Sequence, residues 1–173
     1  MSTSIALGLG SNIERETHLR AGVAALSRLL HAVRLSPVYD CDAVGFSGPS
    51  FFNMVVRGET DLPLAQLLSQ LREIERDNGR APNAERYSSR TLDIDLLVFG
   101  DLCLRNNQVN LPRGDILKQA YVLKPLSDIW PDGVHPVVGK TFAQLWRAFA
   151  DKSVRLTPVQ MLWVSGDVGG CAQ

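Results

Sequence analysis

Two aspartates stand two positions apart at the start of an apolar segment near the middle of the chain, where Asp93 and Asp95 alternate with Leu92, Ile94 and Leu96. Alternate side chains of a strand share a face, so both carboxylates point to one side, with Cβ atoms roughly 6–7 Å apart. Such a pair repels itself unless a cation lies nearby. Magnesium suits the pair, because hard divalent ions prefer oxygen ligands and hold substrate phosphates.

Four arginines precede or flank the aspartates within a short stretch, at Arg76, Arg80, Arg86 and Arg90. Guanidinium groups match the geometry of phosphate oxygens. Two magnesium ions shared by the carboxylates could clamp a triphosphate, and phosphoryl-type transfer depends mainly on such positioning and charge stabilisation. The pattern predicts phosphate-transfer chemistry. The alternative from spacing alone is a solvated strand edge, or a salt bridge between an aspartate and an arginine.

The elements that must position these residues follow from hydrophobic periodicity. Strands are predicted at 4–9, 33–39, 51–59 and 92–99, a short hairpin at 102–111, and helices at 14–31, 63–77, 115–126 and 141–150. The order β-α-β-β-α-β predicts a ferredoxin-like α+β sandwich, with C-terminal additions that extend or flank its sheet.

Three local details accompany these elements. Asn12 is predicted to be the N-cap of the first helix, and Pro37 indicates an edge or irregular position in the second strand. Strict alternation along 92–99 places Leu97 and Phe99 on the face of the aspartates, and the remaining apolar residues on the opposite face. The aspartates are therefore expected at the rim of a cleft.

Composition sets the class of protein. The chain has 173 residues and 45% hydrophobic residues, which predicts one domain at 1–165 and a frayed tail at 166–173. Eighteen basic and eighteen acidic residues cancel, which argues against nucleic-acid or anionic-membrane partners. Three scattered cysteines, no signal peptide and no long apolar run predict a cytoplasmic protein without a disulfide framework.

The segment 90–100, Arg-Thr-Leu-Asp-Ile-Asp-Leu-Leu-Val-Phe-Gly, resembles the signature of the 6-hydroxymethyl-7,8-dihydropterin pyrophosphokinase family. Other matching features are Gly10-Ser11-Asn12 after the first strand, Val44-Gly45, the aromatic pair before Asn53, and Glu75 with Gly79-Arg80. The resemblance covers roughly residues 5–130 and supports the ferredoxin-like fold.

The resemblance implies transfer of pyrophosphate from ATP to the hydroxymethyl group of a reduced pterin in folate synthesis, with two Mg²⁺ ions. We expect a monomer rather than an oligomer. It implies that Asp93 and Asp95 bind metal, and that Asp95, Arg90 and Arg80 are catalytic. The pterin residues it implies are Val44, Gly45, Phe51, Asn53 and Tyr121. The nucleotide residues it implies are Glu75, Arg80, Tyr87, Arg90 and Arg113. Read without the resemblance, Asn53 is a turn residue, and Phe51 and Tyr121 are core aromatics.

Departures from the family pattern fall mostly on the nucleotide side. Tyr87-Ser88-Ser89 replaces a tryptophan-glycine-proline run, and Arg113 stands where the family has a histidine. Three functions follow in order of preference: a pyrophosphokinase with a changed periphery, a paralogue acting on another pterin or related alcohol, and a pterin- or nucleotide-binding protein with little turnover.

Ferredoxin-like folds also serve as RNA-binding and regulatory modules. An RNA-binding sheet is expected to be basic, with exposed aromatics on its central strands. Asp93 and Asp95 on a central strand would instead repel a phosphate backbone. A regulatory module would give the aspartates and arginines no purpose, and it predicts no magnesium-dependent ATP binding.

Overall fold

The computed structural model describes residues 1–79 and 89–163. The strands are β1 (Thr3–Ser11), β2 (His31–Leu35), β3 (Val38–Cys41), β4 (Phe51–Thr60), β5 (Asp93–Phe99), β6 (Leu104–Arg105), β7 (Asn110–Leu111) and β8 (Leu156–Val159). The helices are α1 (Arg15–Leu29), α2 (Leu64–Asp77), α3 (Asp115–Lys118), α4 (Ala120–Ile129) and α5 (Phe142–Ala148). The predicted tail at 166–173 lies outside the described residues.

A six-stranded antiparallel sheet forms the centre of the molecule. Its order is β5-β1-β4-β3-β8, and β2 pairs with β4 beside β3. The order of the core strands, with α1 and α2 as connections, confirms the ferredoxin-like prediction. β6 and β7 form the predicted hairpin as a separate two-stranded sheet. Because β1 lies between β5 and β4, the beginning of β5 and the beginning of β4 face each other across it, at Asp93, Gly10 and Asn53, where the candidate site lies.

The strand predicted at 33–39 is divided into β2 and β3. Ser36 and Pro37 lie between them, and the Ser36 hydroxyl accepts a hydrogen bond from the Val55 N–H at 2.8 Å. A side chain thus replaces a backbone acceptor at this position, and proline offers no N–H. The helix predicted at 115–126 is also divided, because Gln119 has extended backbone angles. β8 was not predicted, and it rather than β3 forms the edge of the sheet.

Helices cover both faces of the sheet. On one face, α1 and α2 contribute Leu19, Val23, Leu26, Leu67 and Leu71 to the larger apolar cluster. On the other face, α4 and α5 pack on the sheet through the cluster of Ala6, Val55, Leu97, Val98, Ile116, Val122, Leu123, Leu126 and Phe142. The C-terminal additions therefore both extend the sheet, through β8, and flank it, through α4.

Among the residues described by the structure, no helix has the length and apolar character needed to cross a membrane.

Candidate active site

A cleft of about 410 Å³ opens where β1, β4 and β5 meet the loop at residues 42–50, which we name the β3–β4 loop. Its lining residues are Gly8, Leu9, Gly10, Asp42, Val44, Phe46, Phe51, Asn53, Met54, Val55, Arg90, Asp93, Asp95, Leu97, Arg113, Asp115, Tyr121 and Val122. Asp93 and Asp95 on β5, with Arg113 and Asp115, form what we name the charged end, whereas Phe51 on β4 and Phe46 on the β3–β4 loop belong to the aromatic end, with β1 between β5 and β4. The cleft can therefore hold a phosphate chain and a flat ring side by side.

Both predicted aspartates lie on the wall that β5 contributes. Asp95 is opposite Gly8 and Asp93 is opposite Gly10 in the pairing with β1, so no neighbouring side chain on β1 covers the carboxylates. Burial, followed by the charge of Asp93, raises the pKa of Asp95 to about 7. The surroundings of this carboxylate thus disfavour its negative charge. The carboxylates of a cation site are in the same situation before the cation binds.

The alternation predicted along β5 breaks at Leu97. Leu7 is paired with Leu96 and Ala6 with Val98, so Leu97 is an extra residue in β5. This β-bulge turns the strand, because two consecutive side chains then face the same side. Val98 joins Leu97 in the smaller cluster and Phe99 packs on the larger one. The predicted faces of Val98 and Phe99 are therefore wrong, whereas those of Asp93, Asp95 and Leu97 are correct.

Arg113 reaches the carboxylates from the loop after β7. Its Nη2 lies 3.5 Å from Asp95 Oδ1, and its Nε donates a 2.9 Å hydrogen bond to Asp115 Oδ2. Burial works to lower the pKa of Arg113, but the charges of Asp95 and Asp115 raise that pKa above its ordinary value. The cleft thus contains, besides Asp42, a further carboxylate on Asp115, which sequence reasoning missed because nothing in the local pattern links it to Asp95.

Arg90 lines the same end of the cleft and is only 8% exposed. Its position depends on Asn12, whose Oδ1 accepts the Arg90 N–H at 2.7 Å, while the Asn12 N–H donates to the Arg90 carbonyl at 2.9 Å. The Asn12 Nδ2 also donates to the Pro49 carbonyl at 3.0 Å. Asn12 therefore joins three chain segments.

The prediction that Asn12 caps α1 is wrong. β1 continues to Ser11, and the N-cap is Glu14, in the left-handed region with φ 45° and without a side-chain cap. The side-chain amide of Asn12 does not cap the helix because it forms hydrogen bonds with three residues distant in sequence, Pro49, Ser89 and Arg90.

Four of the five predicted pterin residues, Val44, Phe51, Asn53 and Tyr121, line the cleft, and Gly45 does not. Gly45 instead has φ 82° and permits the turn of the β3–β4 loop. Phe46 completes the aromatic end, with its ring edge-on to Phe51 at a centroid distance of 6.3 Å. Sequence reasoning missed Phe46, although an aromatic residue in a glycine-rich loop was a visible signal. The Val44 side chain is 38% exposed, whereas a valine packed in a core would be buried.

Gly10 faces Asn53 across the β1–β4 pair. A Cβ at Gly10 would lie 2.9 Å from Asn53 Oδ1 and 3.7 Å from the Phe51 ring. Glycine is therefore needed here for space, and its absence of a side chain lets the Asn53 amide lie against the strand.

Glu75 does not line the cleft. It is 6% exposed, on the inner face of α2, and its Oε2 accepts the Ile94 N–H at 3.1 Å. This places Glu75 behind β5, where its charge contributes to the raised pKa of Asp95. Arg80 and Tyr87, like Arg86, lie outside the described residues.

Cys41 is buried at the end of β3, and burial raises the pKa of its thiol to about 11. The neighbouring Tyr39 hydroxyl donates a hydrogen bond to Asp128, and burial together with this bond raises the pKa of Tyr39. Neither group is a nucleophile at neutral pH.

The donor set fits magnesium. Within residues 1–79 and 89–163, no cluster of three or more histidine, cysteine or acidic side chains forms a metal cage. Asp93 and Asp95 offer carboxylate oxygens only, and Mg²⁺ commonly takes one or two carboxylates together with waters and substrate phosphates. A divalent cation would also offset the burial and the charge of Asp93, which together raise the pKa of Asp95.

Comparison with known proteins agrees with this geometry. A family model described as 7,8-dihydro-6-hydroxymethylpterin-pyrophosphokinase (HPPK) matches residues 6–131. The 2-amino-4-hydroxy-6-hydroxymethyldihydropteridine pyrophosphokinase of Haemophilus influenzae is 33% identical over 157 residues, which cover 88% of this chain and 97% of the relative. Its namesake from Bacillus subtilis is 35% identical over 127 residues, which cover 71% and 75% of the two chains.

Solved structures share the fold. A Plasmodium falciparum HPPK-DHPS triple mutant with pteroate superimposes with a TM-score of 0.66 at 14% identity, over 86% of this chain and 43% of that chain. This chain thus spans less than half the length of that solved protein, and the likeness concerns the fold alone. From the family model and the curated relatives together, the chain belongs to the 7,8-dihydro-6-hydroxymethylpterin-pyrophosphokinase family.

Proposed function

We propose that the protein transfers pyrophosphate from ATP to the hydroxymethyl group of 6-hydroxymethyl-7,8-dihydropterin, a step of folate biosynthesis. One observation carries the proposal: the paired carboxylates Asp93 and Asp95 and the aromatic group around Phe51 and Asn53 line a single cleft. Family membership supplies the reaction class, and the cleft supplies a place for each reactant.

The aromatic end of the cleft takes the pterin. Phe46, Phe51 and Tyr121 offer flat faces and edges to a heterocycle. The Asn53 side chain has two donors and one acceptor, which complement the amide edge of a pterin ring. Backbone groups near Val44 add hydrogen bonds from the loop. Gly45 acts here through the shape of the loop rather than by contact.

The charged end takes the triphosphate. Arg90 and Arg113 line it, and both carry guanidinium groups suited to phosphate oxygens. Arg80 and Tyr87 remain predicted nucleotide contacts from the resemblance. For Glu75 we propose an indirect role, since its carboxylate holds the Ile94 N–H between the two aspartates.

Asp93 and Asp95 would hold two Mg²⁺ ions, which supply charge neutralisation on the phosphates and acidify the attacking hydroxyl. In the transfer, the pterin oxygen bonds to the β-phosphorus while the bond from that phosphorus to the α,β-bridging oxygen breaks, so that AMP leaves. Among the described cleft residues, the carboxylates are the side chains that can accept a proton near neutral pH, because the guanidinium groups already carry theirs. We assign acceptance of the hydroxyl proton to Asp95.

The test is a coupled assay of AMP release with ATP, magnesium and 6-hydroxymethyl-7,8-dihydropterin. Asp95→Ala and Asp93→Ala are each expected to lower the rate by about a thousandfold, the upper range for removal of one preorganised electrostatic group. Asp101→Ala is the matched control, because Asp101 is an exposed aspartate in the turn after β5, and its rate should equal that of the wild type. An active Asp95→Ala enzyme would refute the metal assignment.

A second function is favoured by one observation. Arg113 stands in the place of a family histidine and forms an ion pair with Asp95, which competes with a cation. The protein could therefore bind pterin and nucleotide with little turnover, or act on another pterin. Binding of both ligands by calorimetry, without AMP release from ATP in the presence of any 6-substituted pterin, would select the binding function.

We also propose that residues 1–165 act as one domain, as a monomer in the cytoplasm. The clusters on both faces of one sheet support the single domain. The scattered cysteines of the sequence support a reducing compartment. Sedimentation velocity of the purified protein tests the monomer, since a dimer mass would contradict it.

A further inference from the structure

β8 lies beyond residue 131, where the family match ends, and it pairs with β3 directly before the β3–β4 loop. The pairing places Thr157 opposite Asp40 and Leu156 opposite Cys41. Arg155, the residue before β8, is thereby brought to the beginning of the β3–β4 loop. The segment around Arg155, far along the sequence, thus lies beside the loop that lines the proposed pterin site.

Arg155 binds two acidic residues at this point. Its Nε and Nη2 donate to Asp42 Oδ1 at 3.1 and 2.9 Å, and Nη2 also donates to Asp40 Oδ1 at 3.2 Å. Asp40 and Asp42 are two positions apart and would repel each other without a shared cation. Asp42 itself lines the cleft. Its backbone therefore belongs to the side of the cleft to which we assign the pterin.

The other end of the loop is held in the same way. Arg15 Nη1 lies 2.8 Å from Ser50 Oγ and 3.5 Å from Asp40 Oδ1, and its guanidinium stacks 3.9 Å above the Phe52 ring. Hydrogen bonds from Ser50 and Arg155 hold the pKa of Asp40 below its ordinary value, although burial works the other way. Asp40 therefore joins both arginines, and the loop is closed at its two ends.

Between these ends stand Val44 and Phe46, which line the cleft but are only partly covered by other residues. Their positions depend on how firmly the loop ends are held. We infer that Arg155 is a positioning residue for the pterin: it fixes the β3–β4 loop so that Val44 and Phe46 meet the ring, and thereby sets the affinity for pterin without touching it. The inference rests on the proposed pterin site.

The experiment measures binding of 6-hydroxymethylpterin by calorimetry, and amide hydrogen exchange of residues 42–50 in the ligand-free protein. Arg155→Gln is expected to raise the Kd for the pterin about fivefold, because the beginning of the loop loses the cation that Asp40 and Asp42 share. Exchange in the loop should quicken. Arg155→Lys should recover part of the affinity, because it keeps the charge but loses the guanidinium geometry.

Two further readouts separate positioning from general stability. The Kd for magnesium with a non-hydrolysable ATP analogue should stay unchanged in Arg155→Gln, and so should the melting temperature. Arg72→Gln, which removes an exposed arginine on α2, is the matched control for charge. Salt should weaken pterin binding by the wild type toward the value of Arg155→Gln, because exposed ion pairs are screened.

A pterin Kd in Arg155→Gln within about twofold of the wild type would overturn the inference, because the loop would then hold Val44 and Phe46 in place without Arg155. A different outcome would overturn the proposed function instead: the wild type does not bind pterin, although hydrogen exchange in the loop is still faster in Arg155→Gln. Arg155 would then order the loop, but not for a pterin.

Discussion

Arg113 forms an ion pair with Asp95, with 3.5 Å between the guanidinium Nη2 and the carboxylate Oδ1. The arginine is anchored by Asp115 on its other side. It thus partly neutralises a carboxylate whose burial and proximity to Asp93 disfavour its charge. The same guanidinium is available to a phosphate once magnesium occupies the aspartates, so the pair links the ligand-free state to the proposed substrate complex.

The first prediction concerns the stability cost of this arrangement. Asp95→Asn should raise the free energy of unfolding by about 1 kcal/mol in magnesium-free buffer at pH 8, a value reduced for solvent screening because the side chain is 34% exposed. A carboxyl whose pKa is raised on folding loses stability as pH rises from its unfolded value through about 7. The gain should therefore shrink toward pH 4, which urea unfolding at the two pH values measures.

The second prediction tests the ion pair itself. Arg113→Gln should lower the free energy of unfolding by about 1 kcal/mol without magnesium, because Asp95 loses the guanidinium that lies 3.5 Å from its carboxylate. In the double mutant with Asp95→Asn, this loss should largely vanish, which a double-mutant cycle reports as coupling. Additive effects of the two substitutions would show that Arg113 acts on other partners.

The third prediction concerns the space beside Asn53. Gly10→Ala should raise the pterin KM by about tenfold, because its Cβ would displace the Asn53 amide and cost roughly one hydrogen bond. Gly8→Ala is the matched comparison on the same strand, since its Cβ would make only ordinary contact, 3.5 Å from Leu97. Steady-state kinetics should show the larger KM change for Gly10→Ala. Equal effects would indicate general crowding of the cleft.

The fourth prediction concerns Asn12, which connects three segments by hydrogen bonds. Asn12→Ala should cost about 2 kcal/mol of stability and lower kcat, because it leaves the buried Arg90 N–H without its acceptor. Asn106→Ala is a matched control: Asn106 Oδ1 also accepts two backbone N–H groups, but in the exposed β6–β7 hairpin. It should lose stability with kcat unchanged. A normal kcat in a folded Asn12→Ala protein would show that the contribution of Arg90 to catalysis does not depend on the hydrogen bonds of Asn12.

The fifth prediction concerns thiol reactivity. Cys41 should resist iodoacetamide at pH 8 in the native protein, because a thiol of pKa about 11 is almost wholly protonated there. Exposed Cys103 should be alkylated in the same sample, and both should react in guanidinium chloride. Peptide mass spectrometry measures the extents. Comparable native rates for the two cysteines would mean that β3 opens readily.

Local patterns predicted much of this fold. Apolar periodicity located β1, α1, β4, α2 and β5 within a few residues, because these elements bury one face or stripe and their sequences record it. Their order then gave the ferredoxin-like core. The division at Ser36 was less visible, since it depends on a hydrogen bond with Val55 on another strand. β8 was missed because four weakly apolar residues become a strand only by pairing with β3.

By itself, the sequence determined the paired carboxylates and their common face, since strand alternation depends on neighbouring residues only. It also carried the family signature at 90–100. Tertiary structure alone decided the bulge at Leu97, the withdrawal of Asn12 from its helix, and the meeting of Arg113 with Asp95. Each of these depends on residues brought together from distant parts of the chain, and a pattern of neighbours holds no record of such contacts.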